Sequence, residues 1–226
     1  MNRLLAAMPR EALDALRPHM EELTLELHTA LIVPNEPIPY AYFPMSCLAS
    51  LVTVLEDGST VEAGSVGHEG MVGIPILLNA ATTPMQTVVQ IGGRAIRMPS
   101  DVLKKLFDST PAVHVLLHRY IHSLFVIASQ STACNRRHQV DERLARWLLM
   151  SSDGIGSDDL AITHEYLAAM LGVRRAGVTD AALKLQEDGL IQYRRGGTRI
   201  IDRRALEARA CECYELVHDE IERVFS

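Results

Sequence analysis

The stretch from Ile162 to Arg199, ITHEYLAAMLGVRRAGVTDAALKLQEDGLIQYRRGGTR, sets apolar residues at helical spacing on both sides of a single glycine and then closes in a basic hairpin. With Gly172 as a tight turn, Leu167, Ala168 and Leu171 fall on the inner face of one helix, and Val173, Val178 and Ala181 on the inner face of a second. Glycine accepts the positive φ of a chain leaving a helix, and a small residue such as Ala168 lets two helices cross closely. Thr163 is suited to cap the first helix and Gly189 to stop the second. Gln192-Tyr193-Arg194-Arg195-Gly196-Gly197-Thr198-Arg199-Ile200 then reads as two strands around a Gly-Gly turn. An ordinary αα-hairpin with a solvated basic face accounts for the helices but not for the strands. The combination predicts a winged helix-turn-helix.

On that reading the second helix presents Arg174, Arg175, Thr179 and Lys184 outward, at or after the end that enters a major groove. Arginine can bridge guanine O6 and N7, an interaction worth about 1 to 3 kcal/mol of discrimination. We read Arg174, Arg175 and Thr179 as base contacts, and Lys184, Arg194, Arg195 and Arg199 as phosphate contacts. The implied partner is double-stranded DNA. The net charge of −6 argues against this only until it is divided along the chain: from Arg136 to Arg209 there are 13 Lys and Arg against 11 Asp and Glu, a local +2 that leaves −8 elsewhere. Positive charge collects with the motif.

The 226 residues are enough for more than one core. Residues 3–17 predict a short amphipathic helix. From about Glu22 to Met98 short alternating or apolar runs, broken by Pro, Gly, Asn and Asp, predict an all-β barrel or roll, with a hairpin at Asp57-Gly58. After Ser100 the period becomes helical. A long helix starting at Thr110-Pro111 carries Val113, Leu117, Tyr120, Leu124, Ile127 and Ser131 at coiled-coil spacing. Packing of this face on the chain's own β-domain would give the same spacing; a seam between two chains is the reading taken, because a winged reader gains specificity by pairing half-sites. Val140–Met150 predicts another helix, a loop follows from Ser152 to Asp159, and Arg203–Phe225 predicts one closing helix. The expected fold is α+β, divided as 1–110 sensor-like β-roll, 111–138 dimerisation helix, 139–206 winged helix-turn-helix and 207–226 terminal helix.

Other chemistries find little support. Cys47, Cys134, Cys211 and Cys213 follow no zinc or iron-sulfur spacing, and Cys211 and Cys213 would point to different sides of a helix, so free buried thiols are expected. Arg136 and Arg137 beside Cys134 are the one hint of a reactive thiol. His114, His118 and His122 recur at four-residue steps and are the candidate metal or haem ligands, against a plain polar stripe. No cofactor is expected. There is no phosphate loop, nucleophile elbow or HExxH, so no enzyme is expected. Neither a signal peptide nor a membrane span is read, which places the protein in the cytoplasm.

In its order of β-roll, long helix and winged helix-turn-helix the chain resembles the catabolite activator and fumarate-nitrate-reductase regulator (Crp/Fnr) family of bacterial transcription factors. RLARWLL and ITHEYLAAMLGVRRAGVTDAALKLQEDGLI carry the resemblance most strongly, with YFP and DGSTVEAGSVGHEGMVG in the β-roll. The resemblance implies a homodimer on a pseudo-palindromic operator, an effector pocket between a cyclic-nucleotide-binding-like β-roll and the dimer helix, and RNA polymerase as a partner. It implies that Thr163 and His164 approach the DNA backbone and that Arg175 reads a base. Ala176 and Asp180 stand where well-known members carry Glu and Arg, which implies a different operator. In the pocket Gly70 is followed by Met71, and the Arg-Ser pair that holds phosphate is replaced by Thr83-Pro84-Met85-Gln86. Between Arg17 and Arg94 there is no Lys or Arg against eight carboxylates, among them Glu56, Glu62 and Glu69. A buried phosphodiester without a cation is costly, so the effector is expected not to be a cyclic nucleotide. The alternative is an effector-binding regulatory module that does not itself bind DNA.

Overall fold

The computed structural model describes residues 1–226 apart from Asp57, Ser59 and Arg195. Helices α1 (Arg3–Ala7) and α2 (Arg10–Leu16) open the chain. The single helix expected over 3–17 is divided at Pro9: Met8, before the proline, is extended at φ −69°, ψ 147°, as the ring of a following proline requires. Strands β1 (Glu21–Leu25), β2 (Ala30–Ile32), β3 (Tyr40–Pro44), β4 (Leu48–Val54) and β5 (Thr60–Val66) follow, then helix α3 (Ile74–Leu77) and strands β6 (Gln86–Ile91) and β7 (Gly93–Pro99).

These strands form two antiparallel sheets, in the orders β1-β7-β3 and β2-β6-β4-β5. Leu25, Leu31, Ala49, Val66, Val89 and Ala95 are buried together, each at an inward position of the two-residue strand period. The β4–β5 pair runs from Ala49 opposite Val66 to Val54 opposite Thr60. Of the turn residues expected there, Gly58 sits at φ +81°, and Asp57 lies outside the described residues.

Helix α4 (Ser100–Ser109) leads to α5 (Pro111–Arg137), about 40 Å long at 1.5 Å per residue. Here the structure corrects the sequence reading. Val113, Leu117 and Tyr120 are 0 to 3% exposed within the single chain, packed among Leu4, Phe43, Met71, Met98 and Leu103. The Tyr120 hydroxyl accepts the Met71 N–H at 2.9 Å and donates to the Met71 carbonyl at 3.0 Å. Ile127 is also buried and Ser131 with it, while Leu124 is half-buried. A heptad stripe reports that one face of a helix is covered, not what covers it; here the chain's own β-roll, α1, α4 and the C-terminal Val224 do. By length and composition alone α5 is also apolar enough to cross a bilayer, which corrects the expectation of no such stretch; its apolar seam is taken up by this core.

Helix α6 (Val140–Ile155) begins with a capping box between Gln139 and Glu142 and runs past the loop expected from Ser152, ending at Gly156 with φ +70°. Strand β8 (Asp159–Leu160), helices α7 (His164–Leu171) and α8 (Arg175–Glu187), and strands β9 (Ile191–Arg194) and β10 (Gly197–Ile200) complete the winged unit, whose small sheet has the order β8-β10-β9. The closing helix expected over Arg203–Phe225 is two, α9 (Arg203–Arg209) and α10 (Cys213–Val224).

The β-roll and the winged unit share a core. Leu48, Val52 and Ile91 pack with Leu148, Leu167, Met170 and Leu171. The backbones meet where His68 N–H donates to the Gly154 carbonyl at 2.8 Å. A Cβ on Gly67 would lie 2.3 Å from the Gly154 Cα, so two glycines are needed at that crossing.

Candidate nucleic-acid interface

The two helices of the motif are built by local signals. Thr163 Oγ1 accepts the Tyr166 N–H at 3.3 Å and so caps α7, and Gly172 at φ +61° ends it with its N–H on the Ala168 and Ala169 carbonyls. Leu167, Leu171, Val178, Ala181 and Leu185 are buried between α7, α8 and α6. That leaves Arg174, extended at the N-cap of α8, and Arg175, its first residue, with exposed side chains. Both stand at the positive end of the helix dipole.

The other sequence candidates are placed less uniformly. Thr179 donates to the Arg175 carbonyl at 3.1 Å and lies 3.3 Å from His164 Nδ1. The His164 ring packs on Tyr193 with centroids 4.1 Å apart. His164 therefore ties α7 to α8 and to the wing, and burial followed by the charge of Arg175 holds its imidazole below the usual histidine range. Lys184 is exposed but lies about 180° round α8 from Arg175, at 100° per residue, on a different face from the helix start.

In the wing Arg194 is exposed and rests on Gln192 Oε1 at 2.9 Å. Arg199 is not free for phosphate: its Nε donates to Asp159 Oδ1 at 2.6 Å and its Nη2 to Oδ2. The Arg199 hydrogen bonds hold the Asp159 carboxyl below the ordinary aspartate range. Arg195 lies outside the described residues.

Sequence reasoning missed Arg143. It is buried on α6, and its Nη2 donates to Asn135 Oδ1 at 2.7 Å and to the Leu171 carbonyl, the last residue before the Gly172 turn. An arginine inside an apolar run was the available signal. The missed Asp159 had none, since its partner is 40 residues away.

A cavity of about 470 Å³ opens between the β-roll and α5. Leu51, Met71, Ile74, Met85, Leu124 and Phe125 line it, with Thr83 and Pro84 at the segment where the resemblance would put an anion-binding pair. Among the described residues no charged side chain lines it.

The histidine stripe is occupied otherwise. His114 stacks on Phe107 at 4.4 Å, His118 Nδ1 meets the His114 carbonyl at 3.0 Å, and His122 Nδ1 meets Glu220 Oε1 at 3.0 Å. Among the described residues the donors that do converge are a different set, Cys134, His138, Cys211 and Cys213. The break before α10 places Cys211 ahead of the helix and Cys213 at its first position, so the two thiols meet instead of diverging as a continuous helix would make them.

Residues 142–209 match the family described as the Crp-like helix-turn-helix domain. No curated protein matches the sequence. Among solved structures the chain is similar to FixK2 from Bradyrhizobium japonicum, at 15% identity and a TM-score of 0.69 over 85% of this chain and 98% of that one. It is similar to a CRP-family transcriptional regulator from Thermus thermophilus, at 18% identity and a TM-score of 0.67 over 83% and 96% of the two chains. It is also similar to CLP, a c-di-GMP responsive global regulator from Xanthomonas campestris, at 17% identity and a TM-score of 0.65 over 85% and 99%. Residues 142–209 are thus a Crp-like helix-turn-helix domain, carried on the fold that these regulators share.

Proposed function

We propose that the chain acts as a homodimer that reads a pseudo-palindromic operator, with α8 of each protomer in a major groove. The observation that carries this is the exposure of Arg174 and Arg175 together at the start of α8, beyond the glycine turn and beside the wing. Arg174 and Arg175 read bases. Thr163 and Arg194 meet the backbone, with Arg195 as a further phosphate contact from its place in the sequence. His164 and Thr179 hold the helix in register, and Lys184 serves as a distant cation. Arg199 contributes only when Asp159 releases it.

The partner helix meets a face of α5 other than the predicted one. Ile121, Phe125, Ala128 and Thr132 recur at steps of four, three and four residues and are half-buried to exposed, with Phe125 71% exposed. That is the heptad spacing of a helix pair, roughly a quarter turn round from Val113, Leu117, Tyr120 and Ile127. Phe125 and Ala128 also line the cavity, so pairing of the helices would close it. The effector, on this reading, is an apolar small molecule rather than a cyclic nucleotide, since a buried phosphate would find no cation there. RNA polymerase is the downstream partner and the cytoplasm the compartment.

Selection of bound sites from random duplex DNA tests the reading. Enriched sites should be symmetric, with half-sites about one helical turn apart. Failure to retain any duplex at modest salt would instead favour an effector module that does not touch DNA.

A further inference from the structure

Four metal-ligating side chains, far apart in sequence, meet where the end of α5 touches the start of α10. Cys134 and His138 are one helical turn apart at the end of α5, and Cys211 and Cys213 flank Glu212, the N-cap of α10. Their donor atoms all lie within 4.8 Å of one another, and the three cysteines are 0 to 6% exposed. We propose that this Cys3His cluster is a tetrahedral zinc site that staples the C-terminal segment to the long helix.

The distances fit that ion. Zn–S bonds of about 2.3 Å and Zn–N bonds of about 2.0 Å put tetrahedral sulfurs about 3.8 Å apart and sulfur and nitrogen about 3.5 Å apart. Cys134 Sγ and Cys211 Sγ are 3.6 Å apart, and Cys213 Sγ and His138 Nδ1 are 3.5 Å apart. Three thiolates and an imidazole select zinc over hard cations such as magnesium.

The surroundings are those of a metal–thiolate centre. His138 Nε2 faces Glu212 Oε2 at 3.2 Å, which leaves Nδ1 for the metal and fixes the ring, the carboxylate–histidine–zinc arrangement. Gln130 Nε2 donates to Cys213 Sγ at 3.0 Å. Three thiolates around a divalent ion leave one negative charge, and two buried arginines stand by to balance it. Both carry guanidinium nitrogens without a hydrogen-bond partner among the described residues, Nε of Arg143 and Nε and Nη1 of Arg146. Through its bond to the Leu171 carbonyl, Arg143 also connects this corner to the turn of the DNA-reading motif. A disulfide between Cys134 and Cys211 would use two of the four donors and leave Cys213 and His138 facing each other without purpose.

The test is elemental analysis of the full-length, untagged protein, purified under reducing conditions and equilibrated with zinc, then with cobalt in its place. Expected are about one zinc per chain and, for cobalt, the intense visible bands of tetrahedral coordination together with sulfur-to-metal charge transfer. Cys211→Ser and His138→Ala should lower zinc affinity at least tenfold, whereas Cys47→Ser, in the β-roll, should leave it unchanged. His138 is the variant least exposed to folding failure, because its ring reaches the surface, and the cobalt spectrum of the wild-type protein needs no variant. Substoichiometric metal, a cobalt spectrum without charge transfer, or peptide mapping that finds Cys134 joined to Cys211 would each overturn the proposal.

Discussion

Trp147 of α6 donates its indole N–H to Glu62 of β5 at 3.1 Å, so the winged unit is hydrogen-bonded to a half-buried carboxylate of the β-roll. Gln90 Nε2 reaches the same carboxylate at 2.9 Å, and Ser50 donates to it as well. Gln90 also touches Met170 of α7. The joint between β-roll and winged unit is thus a polar knot inside an apolar core, and burial pushes the Glu62 carboxyl above the ordinary glutamate range despite these donors and the charge of Arg146.

The first prediction concerns that knot. A carboxyl raised in the folded state gives stability that is fully present below its unfolded pKa, about 4.3, and is lost as pH rises through the raised folded value. Glu62→Gln should therefore stabilise the protein at pH 7. The gain should vanish at pH 4. The new amide can donate to Gln90 Oε1, which has no partner among the described residues. Denaturant melts of both proteins across pH 4 to pH 8 check this; a variant weaker than wild type at every pH would mean that the carboxylate's hydrogen bonds outweigh its burial.

The second prediction separates reading from gripping. Arg175→Ala should relax preference at one base pair per half-site by about 1 to 3 kcal/mol. Arg194→Ala should weaken all sequences alike and flatten the dependence of log affinity on log salt by about 0.9 for each phosphate that the variant no longer neutralises. Binding measured on selected and random duplexes at several salt concentrations distinguishes the two, and identical behaviour of the variants would refute the division.

A third prediction follows from the Arg199–Asp159 pair. Asp159→Asn keeps the shape of the pair and removes its negative charge, so Arg199 gains freedom to meet phosphate. Tighter binding to specific and random DNA alike, with a steeper salt dependence, is the expected result. Unchanged salt dependence would show that the wing does not approach DNA at Arg199.

What the sequence disclosed and what it hid have a common physical basis. The winged motif was legible because its determinants are local: a cap at Thr163, a positive-φ glycine at Gly172 and apolar steps that match the buried set Leu167, Leu171, Val178 and Ala181. The β-roll was legible as strands, since alternation is local too. Pairings between distant segments were not. Asp159 against Arg199, Trp147 against Glu62 and the meeting of Cys134 with Cys211 all depend on how remote segments return to one another. The α5 stripe lies between these cases, for its spacing was read correctly and its cover was not.

The last prediction decides what covers the remaining face of that helix. Leu117 is fully buried within one chain, so Leu117→Ala should cost about 2 to 5 kcal/mol of stability whatever the oligomeric state. Phe125 is 71% exposed in the single chain, so Phe125→Asp should leave the fold of each protomer intact while placing like charges across a helix pair. Sedimentation of the variant should show monomers at concentrations where the wild type is dimeric, and binding to a palindromic site should fall far more than binding to a half-site. A Phe125→Asp protein that stays dimeric would move the seam to another surface, and one that unfolds would return Phe125 to the core with Leu117.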